Sequence, residues 1–227
     1  MSKVIVKEPP AKILITGIRA IGYNFSTAVA DIIDNSISAL ATKIDVITEA
    51  SNDVSFVEFL DNGHGMTYEA LENAMLLGSD REGRSESETE LGRFGLGLKA
   101  ASLSQCRIFT VASKVAEQVN AITFDLNLIE NENKWNLCIL DENEIMQIPN
   151  IDKLNEYPSG TLVVWQDFDK IEGGAKRFED TFREMVADAK KHVELVFHRF
   201  YSTHEIRFNY RQIEKCDPFL LGSAPRQ

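Results

Sequence analysis

Between residues 25 and 42 the chain reads FSTAVADIIDNSISALAT, with Val29, Ile32, Ile33, Ile37 and Leu40 recurring at the period of a helix with one apolar side. The pattern then changes. Runs rich in β-branched and aromatic residues at 43–48 and 54–60 predict two short strands. A turn signal, DNGHG, starts at Asp61, and Thr67 is placed to cap a short helix over 68–77. Residues 78–90, GSDREGRSESETE, are polar throughout and predict a surface loop. A helix is predicted over 98–105, followed by an antiparallel meander of strands at 107–113, 120–126 and 134–140. A strand at 161–166, a long amphipathic helix over 178–200 and the start of a strand at 205–210 complete the mixed α and β pattern.

The chain has 227 residues, enough for one large domain or one domain with an appendage, and 44% of them are hydrophobic, as a packed core requires. A net charge of −11 argues against broad, non-specific DNA binding by the domain as a whole, and leaves room for a local basic patch. No apolar run approaches the length of a membrane span, and the opening MSKVIVKEPP has no hydrophobic signal core. Cys106, Cys138 and Cys216 show neither metal-binding spacing nor a disulfide framework, so a reducing cytoplasm is expected. There is no internal repeat. The final DPFLLGSAPRQ forms no closing element, and a further domain is expected beyond it.

Four segments carry candidate chemistry. Asp31 and Asn35 are four residues apart and share a helix face opposite the apolar stripe. A solvated surface would look the same; the functional reading gives Asn35 a hard cation such as Mg²⁺ and Asp31 a water. DNGHGM at 61–66 is ordinary turn chemistry. It also offers a carboxylate, Asp61, to an exocyclic amine, with Gly63 and Gly65 permitting close backbone approach. His64, alone between two glycines, receives no role. LGRFGLGLKAAS at 91–102 fits neither the Walker A nor the dinucleotide spacing, yet its glycines expose backbone amides before a helix, and Lys99 adds a positive charge. SGTLVVW, with Thr161 at the start of a strand, is uninformative by itself.

In this order the four segments resemble the GHKL ATPase superfamily, which includes DNA gyrase, the ninety-kilodalton heat-shock chaperone, sensor histidine kinases, MutL and the MORC proteins. The resemblance covers roughly residues 15–170, and ADIIDNSISA, LDNGHGM and GRFGLGLKAAS look most like MORC-type and related prokaryotic ATP-binding proteins, some of them associated with anti-phage defence. It implies an α+β fold, a two-layer α/β sandwich of the Bergerat type with helices on one face of a mixed, mainly antiparallel sheet. It implies an ATP-binding domain over 1–200 with a lid at about 78–97, and the start of a transducer-like domain at 201–227. By resemblance Asn35 matches the Mg²⁺-binding asparagine and Asp61 the adenine-reading aspartate, with Gly63, Gly65 and Met66 completing that motif. Gly92, Arg93, Phe94, Gly95, Leu96 and Gly97 match the phosphate-contacting lid, Lys99 lies near the terminal phosphate, and Thr161 supports adenine recognition.

One position departs from the family. Hydrolytic members carry glutamate where this chain has Asp31, one methylene shorter. The expectation is therefore Mg²⁺-dependent ATP binding with slow hydrolysis catalysed through Asp31, and, by analogy, an ATP-promoted homodimer acting as a switch in a larger protein. A non-catalytic nucleotide sensor is the alternative. A histidine-kinase domain fits less well, since none of His64, His192, His198 and His204 precedes the asparagine helix. His192, His198 and Arg199 sit on the long helix near its apolar residues, as expected of a helix edge packed on a core.

Overall fold

A computed structural model describes residues 10–20, 23–51, 55–76, 97–171 and 175–214, with the backbone alone for 175–177. The elements are α1 (Ala11–Arg19), α2 (Phe25–Ser38), β1 (Lys43–Ala50), β2 (Ser55–Asp61), α3 (Tyr68–Met75), α4 (Gly97–Gln105), β3 (Ile108–Val115), β4 (Gln118–Asp125), α5 (Leu126–Glu132), β5 (Cys138–Ile139), α6 (Glu142–Ile145), α7 (Ile151–Asn155), β6 (Ser159–Gln166), α8 (Ala175–Val196), β7 (Glu205–Phe208) and β8 (Arg211–Gln212). The eight strands form one sheet in the order β5-β4-β3-β6-β2-β1-β7-β8. Only β1 and β7 run parallel; the other pairs are antiparallel.

Alternation along the strands sorts side chains to two faces. Val57, Phe59, Phe109, Val111, Val163 and Trp165 join the main core, which buries Ala28, Val29, Ile32 and Ile33 of α2 and Phe182, Ala189 and Val193 of α8. Leu60, Ala112, Leu162 and Val164 point the other way, into a smaller core closed by Ile148, Ile151 and Leu154. The large helices occupy one face, as expected. The thin layer around α7 on the opposite face is an addition that the sequence pattern did not announce.

Local signals account for several boundaries. The Asn24 side chain accepts from the Thr27 amide at 2.8 Å and starts α2. The helix stops earlier than the apolar stripe suggests. Leu40 is 78% exposed and left-handed at φ 61°, while the Ala41 amide reaches back to the Ser36 carbonyl at 3.0 Å. That is a Schellman-type end on a non-glycine residue, set by the short turn into β1. Thr67 caps α3 as predicted. The strand predicted over 134–140 shrinks to Cys138–Ile139, because Asp125 caps an unpredicted helix and Asn133 ends it at φ 50°.

The described part of the last segment joins the same sheet. Lys43 to Val46 pair with Glu205 to Phe208, and an Asp45–Arg207 ion pair binds the two strands. Among the described residues no helix is long and apolar enough to cross a membrane.

Candidate nucleotide site

The centre of the site is a row of three residues on the helix-bearing face. Asp61 on β2 is in register with Thr161 on β6, and Thr161 with Ser113 on β3. Asp61 is only 5% exposed. Its Oδ1 accepts the Gly63 amide at 2.9 Å and the Thr161 amide at 3.2 Å. Its Oδ2 accepts the Ser36 hydroxyl of α2 at 2.9 Å. Burial pushes the Asp61 carboxyl up from its ordinary range, and the three donors and the neighbouring His64 pull it back.

The DNGHGM loop is drawn tightly onto the protein. Gly65 has φ +66°, and a Cβ there would stand 2.0 Å from the Lys114 carbonyl oxygen. The Met66 amide donates to the Ser113 hydroxyl at 2.8 Å, and the Ser159 hydroxyl donates to the Gly63 carbonyl at 2.7 Å. Gly160 is needed for the same reason: its Cβ would meet the Asp61 carbonyl oxygen at 2.2 Å. The two motif glycines thus serve the approach of the loop to its neighbours in the protein. His64 is exposed and its ring bonds the adjacent Gly65 carbonyl.

Ser113 links three segments. Its hydroxyl accepts from Met66, bonds the Thr161 hydroxyl at 2.9 Å and reaches the Gly160 carbonyl at 3.1 Å. One hydroxyl has one donor and two acceptor sites, and these three contacts can use all of them. Neither Ser113 nor Ser36 was singled out from the sequence. Serine in a strand and serine in a helix's apolar stripe are weak signals until the register shows what they face. Ser36 falls among Ile32, Ile33 and Ile37, and a polar residue inside such a stripe was the available hint.

On α2, Asn35 is exposed, and Asp31 and Asp34 are half-buried. Burial raises the Asp31 carboxyl above its ordinary value, opposed by a hydrogen bond from the Tyr23 phenol. Burial also raises Asp34, helped by the charge of Asp31. Asn35 lies next in sequence to Ser36, so the cation candidate and the Asp61 cluster share one helical turn.

α4, which begins at Gly97, packs against α2. A Cβ on Gly97 would find nothing within 4 Å among the described residues. Lys99 is fully buried, and its Nζ donates to the Ala74 and Leu76 carbonyls at 2.7 and 2.6 Å, closing the C-terminal end of α3. Gly92, Arg93, Phe94, Gly95 and Leu96, and with them the expected lid apart from Gly97, lie outside the described residues.

Large helices on one face of a mixed sheet, with an aspartate–glycine loop held between sheet and helix, define the class as a Bergerat-type α+β domain. The family model described as histidine kinase-, DNA gyrase B-, and HSP90-like ATPase matches residues 23–161, more than half of the chain, and the chain belongs to that family. Mouse ATPase MORC2B is 32% identical over 108 residues, 46% of this chain and 10% of that protein. Mouse ATPase MORC2A and human ATPase MORC2 are each 29% identical over 108 residues, again 10% of their length. The chain thus spans about a tenth of the length of these curated relatives.

Proposed function

We propose that the chain binds ATP with Mg²⁺, hydrolyses it slowly, and serves as an ATP-gated switch, pairing with a second copy, within a larger protein. The observation that carries this reading is Asp61. It is a buried carboxylate whose Oδ1 is occupied by two backbone amides while Oδ2 accepts a single hydroxyl, which leaves a lone pair for the exocyclic amine of adenine. Met66, half-buried beside the main core, would line the base. Asn35 would hold Mg²⁺, which neutralises phosphate charge when bound. The amides of Gly92 through Gly97, which precede or open α4 in the sequence, would take the phosphates as the family resemblance implies. Lys99 would reach the terminal phosphate on leaving the α3 carbonyls.

Asp31 would act as the base toward water. Its raised carboxyl brings it closer to working pH than an exposed aspartate. Its shorter side chain also supports the second reading, a sensor that binds ATP without turnover. Steady-state phosphate release separates the two.

The test of binding is calorimetric titration with a non-hydrolysable ATP analogue, with and without Mg²⁺. Saturable binding strengthened by Mg²⁺ is expected in the wild type. Asn35→Ala should lose the Mg²⁺ enhancement and Asp61→Asn most of the affinity. Wild-type affinity in both variants would overturn the assignment.

A further inference from the structure

Ser113 is fully buried on β3, and its single hydroxyl meets three partners. The Met66 amide donates to it at 2.8 Å, the Gly160 carbonyl lies at 3.1 Å, and the Thr161 hydroxyl lies at 2.9 Å. A hydroxyl has one proton to give and two lone pairs to receive with. Met66 takes one lone pair. The Gly160 oxygen can only accept, so the Ser113 proton goes there. The second lone pair then receives the Thr161 proton. The opposite choice, Ser113 donating to Thr161, would set the Ser113 and Gly160 oxygens face to face at 3.1 Å with no proton between them. The three contacts together therefore fix the direction of a bond that either hydroxyl could donate if the pair stood alone.

The consequence falls on Thr161. Its only proton is spent inside the protein, and its oxygen keeps lone pairs alone. Thr161 on β6 is in register with Asp61 on β2, and its amide donates to Asp61 Oδ1 at 3.2 Å. The Gly63 and Thr161 amides and the Ser36 hydroxyl all favour the ionised form of Asp61, which likewise has no proton to offer.

We propose that Ser113 is a specificity-determining residue of the nucleotide site: by taking the Thr161 proton it leaves two neighbouring acceptors, Thr161 and Asp61, for the base, so that a 6-amino purine is accepted and a 6-oxo purine is rejected. This rests on the reading of the site as an ATP site. An amino group brings N–H bonds to such a pair. An oxo group sets lone pairs against lone pairs and forfeits the hydrogen bonds it had with water. Ser113 does this without touching the base, through the hydroxyl of its neighbour.

The test compares non-hydrolysable analogues of ATP and of ITP, which share ribose and triphosphate and differ at the 6-position and N1 of the purine. In calorimetric titration with Mg²⁺ the wild type should prefer the ATP analogue by roughly 100-fold. Ser113→Ala returns the Thr161 proton, which can then turn to a 6-oxo group, and the preference should narrow by roughly tenfold. Thr161→Val removes the acceptor while Ser113 keeps Met66 and Gly160, and should narrow the preference by a similar factor. That variant carries the test if Ser113→Ala does not fold. The double variant should narrow it no further than Thr161→Val, because Ser113 acts through Thr161. Simple loosening of the 61–66 loop would weaken both analogues alike and leave the ratio unchanged. A wild type without preference, an unchanged ratio in either folded variant, or further narrowing in the double variant overturns the proposal alone. Absence of ATP-analogue binding by the wild type overturns the reading of the site, and this proposal with it.

Discussion

Thr161 donates its backbone amide to the Asp61 carboxylate at 3.2 Å while its hydroxyl meets Ser113 at 2.9 Å. The residue that the family pattern associates with the base is thus first a bridge between two strands. It tethers the carboxylate to β6, and its own hydroxyl is oriented by Ser113.

Ser113→Ala removes a hydroxyl shared by Met66, Gly160 and Thr161 and leaves the Met66 amide without its partner. Such a loss costs about 1–3 kcal/mol, read as a melting temperature lower by several degrees. Affinity for the ATP analogue should fall as well, because the 61–66 loop is no longer tied to β3. A variant that melts and binds like the wild type would show that the hydroxyl holds nothing.

Asp31→Asn keeps the size of the side chain and removes the base. Turnover should fall by about 10²–10⁴-fold while analogue affinity stays within a few-fold. Phosphate release at the wild-type rate would take Asp31 out of the reaction.

The two classes of glycine separate under substitution. Gly65→Ala places a Cβ 2.0 Å from a backbone oxygen at a residue with φ +66°, and should destabilise the fold by on the order of 3 kcal/mol. Gly97→Ala meets nothing within 4 Å among the described residues and sits at the first residue of α4, where alanine is favoured by at most ~1 kcal/mol. It should melt at or above the wild-type temperature. Weaker ATP binding in that variant would then report phosphate contact rather than misfolding, and unchanged binding would remove Gly97 from the phosphate site.

Glu58 gives the fold a pH dependence. It is fully buried on the face opposite Asp61; Oε2 accepts from Asn150 at 2.7 Å, and Oε1 has no partner among the described residues. Burial pushes its carboxyl up to about 7, against the lowering effects of Asn150 and Lys153. The folded chain therefore keeps a proton that the unfolded chain releases near the ordinary glutamate value. The stability from this group is complete below that value and is lost as the pH rises through about 7. Urea melts at pH 5.5 and 8 should show a decline that Glu58→Gln reduces by about 2 kcal/mol. An identical decline in the variant would assign the titration elsewhere.

Much of this arrangement is legible in the sequence, for physical reasons that differ by element. The α2 helix and the β1–β2 pair are written in strong local periodicities, and the Asp61 loop in turn residues. What escaped depends on partners far along the chain. Ser113 matters because it falls in register with Thr161, 48 residues away. Residues 134–140 have strand-like composition, but the αL residue Asn133 and the edge position of β5 leave room for two paired residues only. The Glu58–Asn150 contact joins positions 92 apart, and no local pattern encodes it. Lys99 is the reverse case: its motif is plain in the sequence, yet its ammonium is found on α3 carbonyls, which only the packing of α4 decides.

The strand β7 gives the sheet a mechanical character. Ile206 is in register with Ile44, Ile44 with Asp61, and Asp61 with Thr161, one unbroken rung of backbone pairing. The chain leaves β8 three strand spacings from Asp61, about 14 Å. The outer strands therefore brace the carboxylate from one side of β2, and β6 and β3 brace it from the other.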